Sequence, residues 1–429
     1  MTIQNSNFFK VLYQSKKRGS RARLGEIKTS HGKIKTPSFV AVGTKGTVKS
    51  LLPSLLNQIG TQVVFVNTYH LVTHPGVEVI EKAGGIHQYA NLNLPLMSDS
   101  GGFQVFSLAR SKIQNAKFKS QNLPAGRQGD NLKLKISKEK KLAVIKISDD
   151  GVRFRSVFDG SILEFTPERS IEYQQKIGAD IMMAFDECIS YGVDYEYTKK
   201  ATERTHQWLK RCIKKFKMQN VNLKMKMQNS KLNNEKIYKK QYLYGVIQGG
   251  RFEDLRKESA KFVVSQDTDG VAIGGVSVGE SKKEMRQQVA WVSSFLPEDQ
   301  PVHLLGVGEF DDILDLVKYG IDTFDCVEPT RKARMGMLFK LKVTLRFGGQ
   351  KLKIEYEEID ILRGVYRNDL SKVDENCSCY VCQNFTKSYL HHLFKNRELL
   401  AYTLATYHNL FVMERFFSWI RKMIEGDLI

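Results

Sequence analysis

Eight short apolar runs recur along the chain, and several of them end in a glycine or a polar residue. They are PSFVAVG (37–43), QVVFVNTYH (62–70), PLMSDSGG (95–102), ADIMMAFDE (179–187), YLYGVIQGG (242–250), GVAIGGV (270–276), PVHLLGVG (301–308) and TFDCVEPT (323–330). Such uniformly apolar runs are typical of strands buried on both faces of a parallel sheet. Amphipathic, helix-like segments lie between many of them, for example 167–178, 281–296 and 311–320. Strands alternating with helices predict an α/β fold, a (β/α)8 TIM barrel within a single unit, 1–429.

Polar residues or glycines follow several of these predicted strands. They are Asn67, Asp99, Asp186, Gln248, Gly275 and Asp325. In a TIM barrel the carboxyl ends of the strands meet at one rim, and that rim holds the active site. Each residue is ordinary alone, but their repetition at equivalent positions predicts a site at this rim.

The formal net charge of +20 is large for 429 residues. Such an excess indicates a polyanionic partner, either a nucleic acid or an anionic membrane surface, although a generally basic, well-solvated surface is the simpler alternative. The polar start MTIQNSNFFK has no apolar signal-peptide core, and no apolar run reaches 18 residues. We therefore expect a cytoplasmic protein without a membrane span.

Three of the six cysteines fall in the short stretch CSCYVC. The C-x-C-x-x-C spacing of Cys377, Cys379 and Cys382 predicts a metal site, most simply zinc, in a reducing compartment. The fourth ligand is open from spacing alone among His391, His392 and His408. Three cysteines and one histidine leave no open coordination position, so the site should be structural rather than catalytic. Buried thiols without a metal are the alternative.

Three stretches interrupt the barrel pattern, at about 110–145, 217–238 and 341–357. The segments LKLKIS, LAVIKIS and VRFRSVF alternate like strands of a small antiparallel meander. Residues 210–240 are rich in lysine and predict a helix extension followed by a solvated loop, with direct RNA contact as a secondary possibility. The stretch 341–357 predicts a hairpin before the cysteines, and residues 341–408 predict a zinc-binding subdomain inserted late in the barrel.

Asp325 lies in the segment DTFDCVEPTRKAR. An aspartate with an ordinary pKa is ionised at neutral pH and can attack an electron-poor sugar carbon, as in retaining glycosidases. Arg331 and Arg334 follow closely and offer fixed positive charge for phosphates. A nucleophilic carboxylate beside a basic clamp suits a glycosidic bond within a nucleic acid, whereas a strand-end cap is the alternative role for Asp325.

Ten segments in order along nearly the whole chain outside the three insertions resemble the queuine tRNA-ribosyltransferases, or tRNA-guanine transglycosylases. They are HGKIKTPSFVAVGTKGTVK, NTYHLVTHPG, SDSGGFQVFSL, GVRFRSVFDGS, TPERSIEYQQKIGADIMMAFDEC, GVIQGG, AIGGVSVGE, FDCVEPTRKAR, CSCYVC and YHNL. Several independent motifs in the family's order make the resemblance specific, whereas SGGF alone would not.

The resemblance implies a base exchange in queuosine biosynthesis, at the wobble guanosine of tRNAs with G-U-N anticodons (Asp, Asn, His and Tyr). Asp325 matches the family's nucleophile, which attacks ribose C1′ and forms a covalent ribosyl-aspartate. Asp99 matches the general acid/base that moves the proton of the exchanging base. Arg331 and Arg334 would contact the tRNA anticodon arm, and the enzyme would be a homodimer.

Other positions match the family's base pocket and metal site. Asp186 and Gln248 match side chains that hydrogen-bond the base, and the backbone at Gly275 and Val276 matches further base contacts. Phe103 and Leu305 match apolar residues on the two faces of the base, with simple core packing as the alternative. The matched zinc ligands are Cys377, Cys379, Cys382 and His408, so the resemblance favours His408.

The pair Cys188 and Val278 resembles the bacterial branch of the family. A valine at this position should narrow the pocket and favour 7-aminomethyl-7-deazaguanine (preQ1) over bulky queuine. Thr73 and His74 depart from the family's usual Leu-Arg-like pair. A catalytically silent tRNA-binding paralogue and a carbohydrate-active barrel are the competing hypotheses.

Overall fold

In a computed structural model of the chain, the structure describes residues 8–103, 144–156, 158–229, 240–344 and 353–429. Eight parallel strands form a closed barrel in chain order, and the eighth strand pairs with the first. The barrel strands are Ser38–Val42, Val64–Val66, Leu96–Ser98, Ile181–Met183, Tyr242–Ile247, Gly270–Ile273, Val302–Leu304 and Thr323–Cys326. Each lies within one of the eight apolar runs, so the predicted TIM barrel is confirmed.

Helices surround this barrel on the outside. Those associated with the barrel are Pro53–Ile59, Thr68–Thr73, Val77–Lys82, Ile86–Ala90, Pro167–Ile177, Tyr195–Asn229, Glu253–Val264, Lys282–Ser293, Phe310–Leu316 and Glu328–Arg334, with a 3-10 turn at Val317–Tyr319. The predicted helix at 167–178 begins where Thr166 accepts a bond from the backbone of Arg169 and ends at Gly178, whose φ is +80°. The helix at Lys282–Ser293 begins with a capping box between Ser281 and Glu284.

Two small antiparallel sheets accompany the barrel. An N-terminal sheet comprises Phe9–Gln14, Arg23–Thr29 and Gly32–Thr36. The meander comprises Val144–Ser148, Gly151–Arg155 and Ile162–Phe165. Two of the segments predicted for the meander supply its first two strands, whereas its third strand, Ile162–Phe165, was not predicted. LKLKIS, like the rest of 104–143, lies outside the described residues.

The chain after the barrel forms a hairpin and a helical region. Strands Met337–Thr344 and Lys353–Asp360 pair antiparallel, as the sequence predicts, although both begin or end outside 341–357. A 3-10 turn at Gly364–Tyr366 and helices Tyr380–Asn384, Lys387–Lys395 and Leu399–Glu425 follow. The predicted helix extension in 210–240 runs to Asn229, and residues 230–239 lie outside the described part. No described helix is long and apolar enough to cross a bilayer.

The long C-terminal helix, Leu399–Glu425, packs across the seam where the barrel closes. The Phe417 ring lies 6.1 Å from the ring of Phe39 on the first strand and 5.8 Å from that of Phe324 on the eighth. All three rings are fully buried. Burial of aromatic side chains this large contributes on the order of 2–3 kcal/mol each, so this helix stabilises the closed form of the barrel.

The amino ends of the barrel strands carry two buried carboxylates with cationic or imidazole partners. Arg23 donates to both oxygens of Asp322, with distances of 3.1 and 2.5 Å. Asp180 contacts Nδ1 of His31 at 2.7 Å and Nε2 of His87 at 3.3 Å, and it accepts a bond from the backbone of Leu96. These contacts attach the N-terminal sheet to the end of the barrel at which its strands begin.

Asp180 should make the stability of the protein depend on pH in the acid range. Burial alone would raise its pKa, but the bonds from His31 and His87 lower the pKa of Asp180 to about 2. A depressed pKa stabilises the folded state above the unfolded value of about 4, and this contribution is lost as the pH falls towards about 2. We expect Asp180→Asn to lower the free energy of unfolding at neutral pH by about 2 kcal/mol, measured by urea denaturation.

The matched control is Asp299→Asn, since Asp299 is an exposed aspartate. Its free energy of unfolding should equal that of the wild type within about 0.5 kcal/mol. The deficit of Asp180→Asn should shrink when the measurement is repeated at about pH 3. A deficit that stays constant between the two pH values would contradict the role given to Asp180.

Candidate active site and metal centre

Asp99 directly follows the third barrel strand and is held in one orientation by its neighbours. Its Oδ1 accepts bonds from the backbone amides of Thr68 at 2.8 Å and Gly101 at 3.1 Å. The Asn67 amide group donates to Oδ2. Asn67 itself directly follows the second strand and caps the helix Thr68–Thr73 by accepting from the backbone of His70. The ends of two adjacent strands therefore fix this carboxylate.

The surroundings of Asp99 shift the pKa of its carboxyl group towards neutral pH. Burial raises the pKa of Asp99 to about 7, although the bonds from Thr68 and Gly101 oppose this effect. The negative charges of Asp186 and Asp325 act in the same direction as burial and contribute to this raised pKa. A carboxyl group with this pKa can hold or release a proton near neutral pH.

Asp186 and Gln248 lie beyond the fourth and fifth strands and contact each other. The Nε2 group of Gln248 donates to Oδ2 of Asp186 at 2.7 Å, and the Ser100 hydroxyl donates to Oδ1 at 3.1 Å. Burial raises the pKa of Asp186 to about 6 in spite of these bonds. Oε1 of Gln248 is buried and has no hydrogen-bond partner among the described residues. An acceptor left open in this way can receive a donor from a ligand.

Asp325 belongs to the eighth strand, and its donors all bind one oxygen. Its Oδ1 lies 3.0 Å from the Gly306 amide nitrogen and 3.2 Å from Nε2 of His303. Nδ1 of His303 contacts the Thr323 hydroxyl at 2.9 Å, and the imidazole is fully buried. No described residue donates to Oδ2, so this oxygen is available to a reaction partner.

The turn after the sixth strand brings backbone close to Gln248. Gly275 has a φ of +61°, and a Cβ at this position would lie 2.2 Å from Oε1 of Gln248. Further along the turn, the Glu280 carboxylate accepts bonds from the backbone amides of Ser277 and Val278 and holds these two residues in place. The positive φ and this close approach explain why position 275 requires a glycine. The next residue, Val276, is buried.

The two apolar residues proposed to face the base differ in exposure. Leu305 is half-buried and packs against the inner core of the barrel. The Phe103 side chain is 49% exposed, at the end of the described segment 8–103. Core packing therefore does not explain Phe103, whereas it explains Leu305 in part.

Arg331 and Arg334 lie on the helix Glu328–Arg334, which begins immediately after the eighth strand. Arg331 is exposed and Arg334 is half-buried, with its Nη1 donating to the Thr330 carbonyl at 2.7 Å. Burial and the charge of Arg331 lower the pKa of Arg334. This helix adds positive charge to the edge of the same barrel mouth.

Cys377, Cys379, Cys382 and His408 form a buried cluster whose ligand atoms all lie within 4.8 Å of one another. Nδ1 of His408 is 3.4 Å from the sulfurs of Cys379 and Cys382. Nε2 of His408 lies 2.7 Å from the Phe339 carbonyl, an acceptor, so Nδ1 keeps its lone pair for a metal. A tetrahedral metal ion separates sulfur and nitrogen ligands by about 3.5 Å, so the cluster fits such an ion.

The other candidate histidines are elsewhere. His391 contacts the Ile361 carbonyl through Nδ1 at 2.7 Å, and the exposed His392 contacts Asn396. The structure therefore brings His408, and neither of these two, to the three cysteines. None of the six cysteines, all of which are described, forms a disulfide.

Sequence reasoning missed two residues of the barrel mouth, His303 and Glu280. His303 stands inside the apolar run PVHLLGVG, where a polar residue in a strand is a signal for an inward-facing group. Glu280 follows the sixth run in VSVGE and had no feature to distinguish it from a surface glutamate.

Comparison with known proteins places this geometry within one family. The family model described as queuine tRNA-ribosyltransferase matches residues 17–134 and 129–428. The chain is 42% identical over 420 residues to the queuine tRNA-ribosyltransferase of Thermoanaerobacter pseudethanolicus, covering 97% of this chain and 94% of the relative. The Aquifex aeolicus protein of the same name is 40% identical over 407 residues, covering 94% of this chain and 92% of that relative.

A third relative gives the same result. The queuine tRNA-ribosyltransferase of Protochlamydia amoebophila is 40% identical over 421 residues, covering 98% of this chain and 96% of the relative. Identity of this level over nearly full length, together with the match to the family model, leads to one conclusion: the chain belongs to the queuine tRNA-ribosyltransferase family of enzymes.

Proposed function

We propose that this protein is a tRNA-guanine transglycosylase of queuosine biosynthesis. It would exchange guanine at the wobble position of tRNAs with G-U-N anticodons, those for Asp, Asn, His and Tyr, for preQ1. The observation that carries this proposal is the pair of carboxylates at the barrel mouth, which have different surroundings. Asp99 has a pKa raised to about 7, whereas Asp325 has one oxygen bound by donors and the other open.

Asp325 is the proposed nucleophile. Its open oxygen attacks ribose C1′ while the bond from C1′ to N9 of guanine breaks, which gives a covalent ribosyl-aspartate. Gly306 and His303 donate to Oδ1 and orient the carboxylate. They also stabilise its negative charge when the bond from Asp325 to C1′ breaks in the second displacement. A covalent intermediate explains how the bond can be exchanged without an external energy source.

Asp99 is the proposed general acid and base. In its neutral form it donates a proton to the departing guanine, and the resulting carboxylate takes the N9 proton from preQ1 as that base attacks C1′. The proton count then balances, and Asp99 returns to its starting state. A pKa near 7 suits both directions of transfer at neutral pH.

The proposed base pocket lies between these carboxylates. Asp186, the open acceptor of Gln248 and the backbone of Gly275 and Val276 would bond the edges of the base, with Leu305 and Phe103 on its faces. The target guanosine must leave the base stack to enter. Cys188 and Val278 are both half-buried, and the valine supports a preference for the small preQ1 over queuine.

The charge of +20 supports binding of the tRNA anticodon arm, with Arg331 and Arg334 as proposed phosphate contacts. Such binding would weaken as salt increases, because counterions are released from the RNA. A cytoplasmic location is proposed because tRNA is modified there and free thiolates require a reducing compartment. The homodimer stays a prediction from the family resemblance.

The covalent step can be tested with Asp325→Ala and Asp325→Asn. Both variants should lose the denaturation-resistant complex with tRNA and the incorporation of labelled guanine or preQ1 into a G-U-N transcript, since nothing else supplies the nucleophile. Loss of a nucleophile typically costs 10⁴-fold or more in rate. The tRNA itself should still bind in a gel-shift assay.

Controls separate the competing hypotheses. A transcript with adenosine at the wobble position should incorporate no label, and labelled queuine should compete poorly with preQ1. Guanine exchange at the wild-type rate in Asp325→Ala would refute the assignment. Tight tRNA binding by the wild type without any base incorporation would instead favour a catalytically silent tRNA-binding protein.

The proton transfer gives a separate prediction for Asp99. Because Asp99 must carry a proton to release guanine, single-turnover formation of the covalent complex should slow as the pH rises above about 7. Asp99→Asn should slow this step by about 100-fold or more and remove that part of the pH dependence. The measurement is a rate profile over roughly pH 6–9. An unchanged rate profile in Asp99→Asn would assign the proton to another group.

We also propose one structural zinc ion per chain, held by Cys377, Cys379, Cys382 and His408. The buried donor set and the 3.4 Å separations between Nδ1 and two sulfurs support a closed tetrahedral site. The ion would supply folding energy and no chemistry at the sugar, because it has no open coordination position.

The zinc site predicts a loss of both metal and stability on removal of one ligand. Cys382→Ala should contain less than about 0.2 zinc per chain by atomic absorption and should melt at least about 5 °C below the wild type. Cys188→Ala, which removes a cysteine outside the cluster, should retain its metal. Equal zinc content in the two variants would contradict the site.

A further inference from the structure

Arg256 is a fully buried cation that forms its bonds with backbone carbonyls. It lies on the helix Glu253–Val264, the helix that follows the fifth barrel strand. Its Nε donates to the Gly250 carbonyl at 2.7 Å, Nη1 to that of Gly274 at 2.6 Å, and Nη2 to that of Gly275 at 2.5 Å. Nη2 also contacts Oε1 of Gln288 at 3.0 Å.

Such a cation is costly because no carboxylate of the described residues forms an ion pair with it. The charge of Glu280 acts on Arg256, but its oxygens bond the amides of Ser277 and Val278 instead. Burial lowers the pKa of Arg256 to about 10, so the group is still charged at neutral pH. Buried charges without an ionic partner are rare. We therefore expect the buried guanidinium of Arg256 to have a role besides packing.

The bonds to Gly274 and Gly275 determine where the next amides point. In a trans peptide the carbonyl and the N–H group point in opposite directions. With its carbonyls drawn to Arg256, the turn directs the N–H groups of Gly275 and Val276 away from the guanidinium. Within the described residues, neither of these amides has a protein acceptor.

The open amides lie beside the proposed base pocket. Gly275 is next to Oε1 of Gln248, the buried acceptor that also lacks a partner. The amides of Ser277 and Val278, by contrast, are bound by Glu280. Of the four successive amides at 275–278, the last two therefore bind the Glu280 carboxylate, and the first two are left for a ligand in the pocket.

We propose that Arg256 is a positioning residue that determines which purine the pocket accepts. By fixing the carbonyls of Gly274 and Gly275, it presents N–H donors to the base, and donors select an edge that carries acceptors. Guanine and preQ1 both offer such an acceptor in O6, whereas 2,6-diaminopurine has an amino donor at position 6. This inference rests on the proposed function only in taking a purine base as the ligand.

The test compares the affinities of the tRNA-free protein for guanine and 2,6-diaminopurine by equilibrium dialysis, which requires no catalysis. The wild type should prefer guanine. In Arg256→Lys a single ammonium cannot span three carbonyls, so the turn can rotate and offer a carbonyl to the base. We expect the preference for guanine to fall by about tenfold, the effect of one buried hydrogen bond.

A second variant keeps the test valid if Arg256→Lys does not fold. Gln288→Leu removes one acceptor of the guanidinium from the outer helix, and it should lower the preference for guanine in the same direction by severalfold. Arg23→Lys is the matched control, because Arg23 is also buried but lies at the opposite end of the barrel. It should reduce the melting temperature and leave the preference unchanged.

The possible outcomes are distinct. If both affinities fall by the same factor, or if neither changes in folded variants, Arg256 has only a structural role and the inference is overturned. If the wild type binds neither purine, the proposed function fails, and this inference fails with it. A changed ratio of affinities with an unchanged ratio in Arg23→Lys supports the inference.

Discussion

The pairing of the eighth barrel strand with the first determines the rest of the structure. Asp325 stands opposite Val40 in this pairing, so closure of the barrel brings it to the mouth that also holds Asp99, more than two hundred residues earlier in the chain. The seam is supported from outside by Phe417, which packs on both strands. Below it, Arg23 and Asp322 hold the start of the eighth strand. Without this closure Asp99 and Asp325 would not share one mouth of the barrel.

The two ends of the barrel use carboxylates in opposite ways. At the amino ends of the strands, Asp180 and Asp322 have imidazole or guanidinium partners, and they act as structural ties. At the carboxyl ends, the donors that Asp99 and Asp186 receive from the described residues are all neutral, and burial raises their pKa values. The same type of side chain is therefore held ionised at one end of the barrel and has its pKa shifted towards neutral pH at the other, because its neighbours differ in charge.

The sequence predicted the barrel well because each strand is a continuous apolar run, and such a run has few other stable environments. The third meander strand, Ile162–Phe165, escaped prediction because it is short and mostly solvent-facing. Spacing alone left the fourth ligand open among three histidines, and only the family resemblance favoured His408, because spacing does not reveal that its helix reaches back to Phe339. Sequence spacing also gave no role to Arg256, His303 and Glu280, because their roles depend on tertiary contacts.

The donors on a single oxygen of Asp325 have a stereochemical consequence. Both His303 and Gly306 hold Oδ1, so the same remaining oxygen would approach the sugar in every turnover. The departing and the incoming base would then use the opposite face of the ribose. Each displacement inverts the anomeric carbon, and two inversions restore the original β configuration. The asymmetric binding of one carboxylate would therefore keep the modified nucleotide in the same geometry as its neighbours in the anticodon.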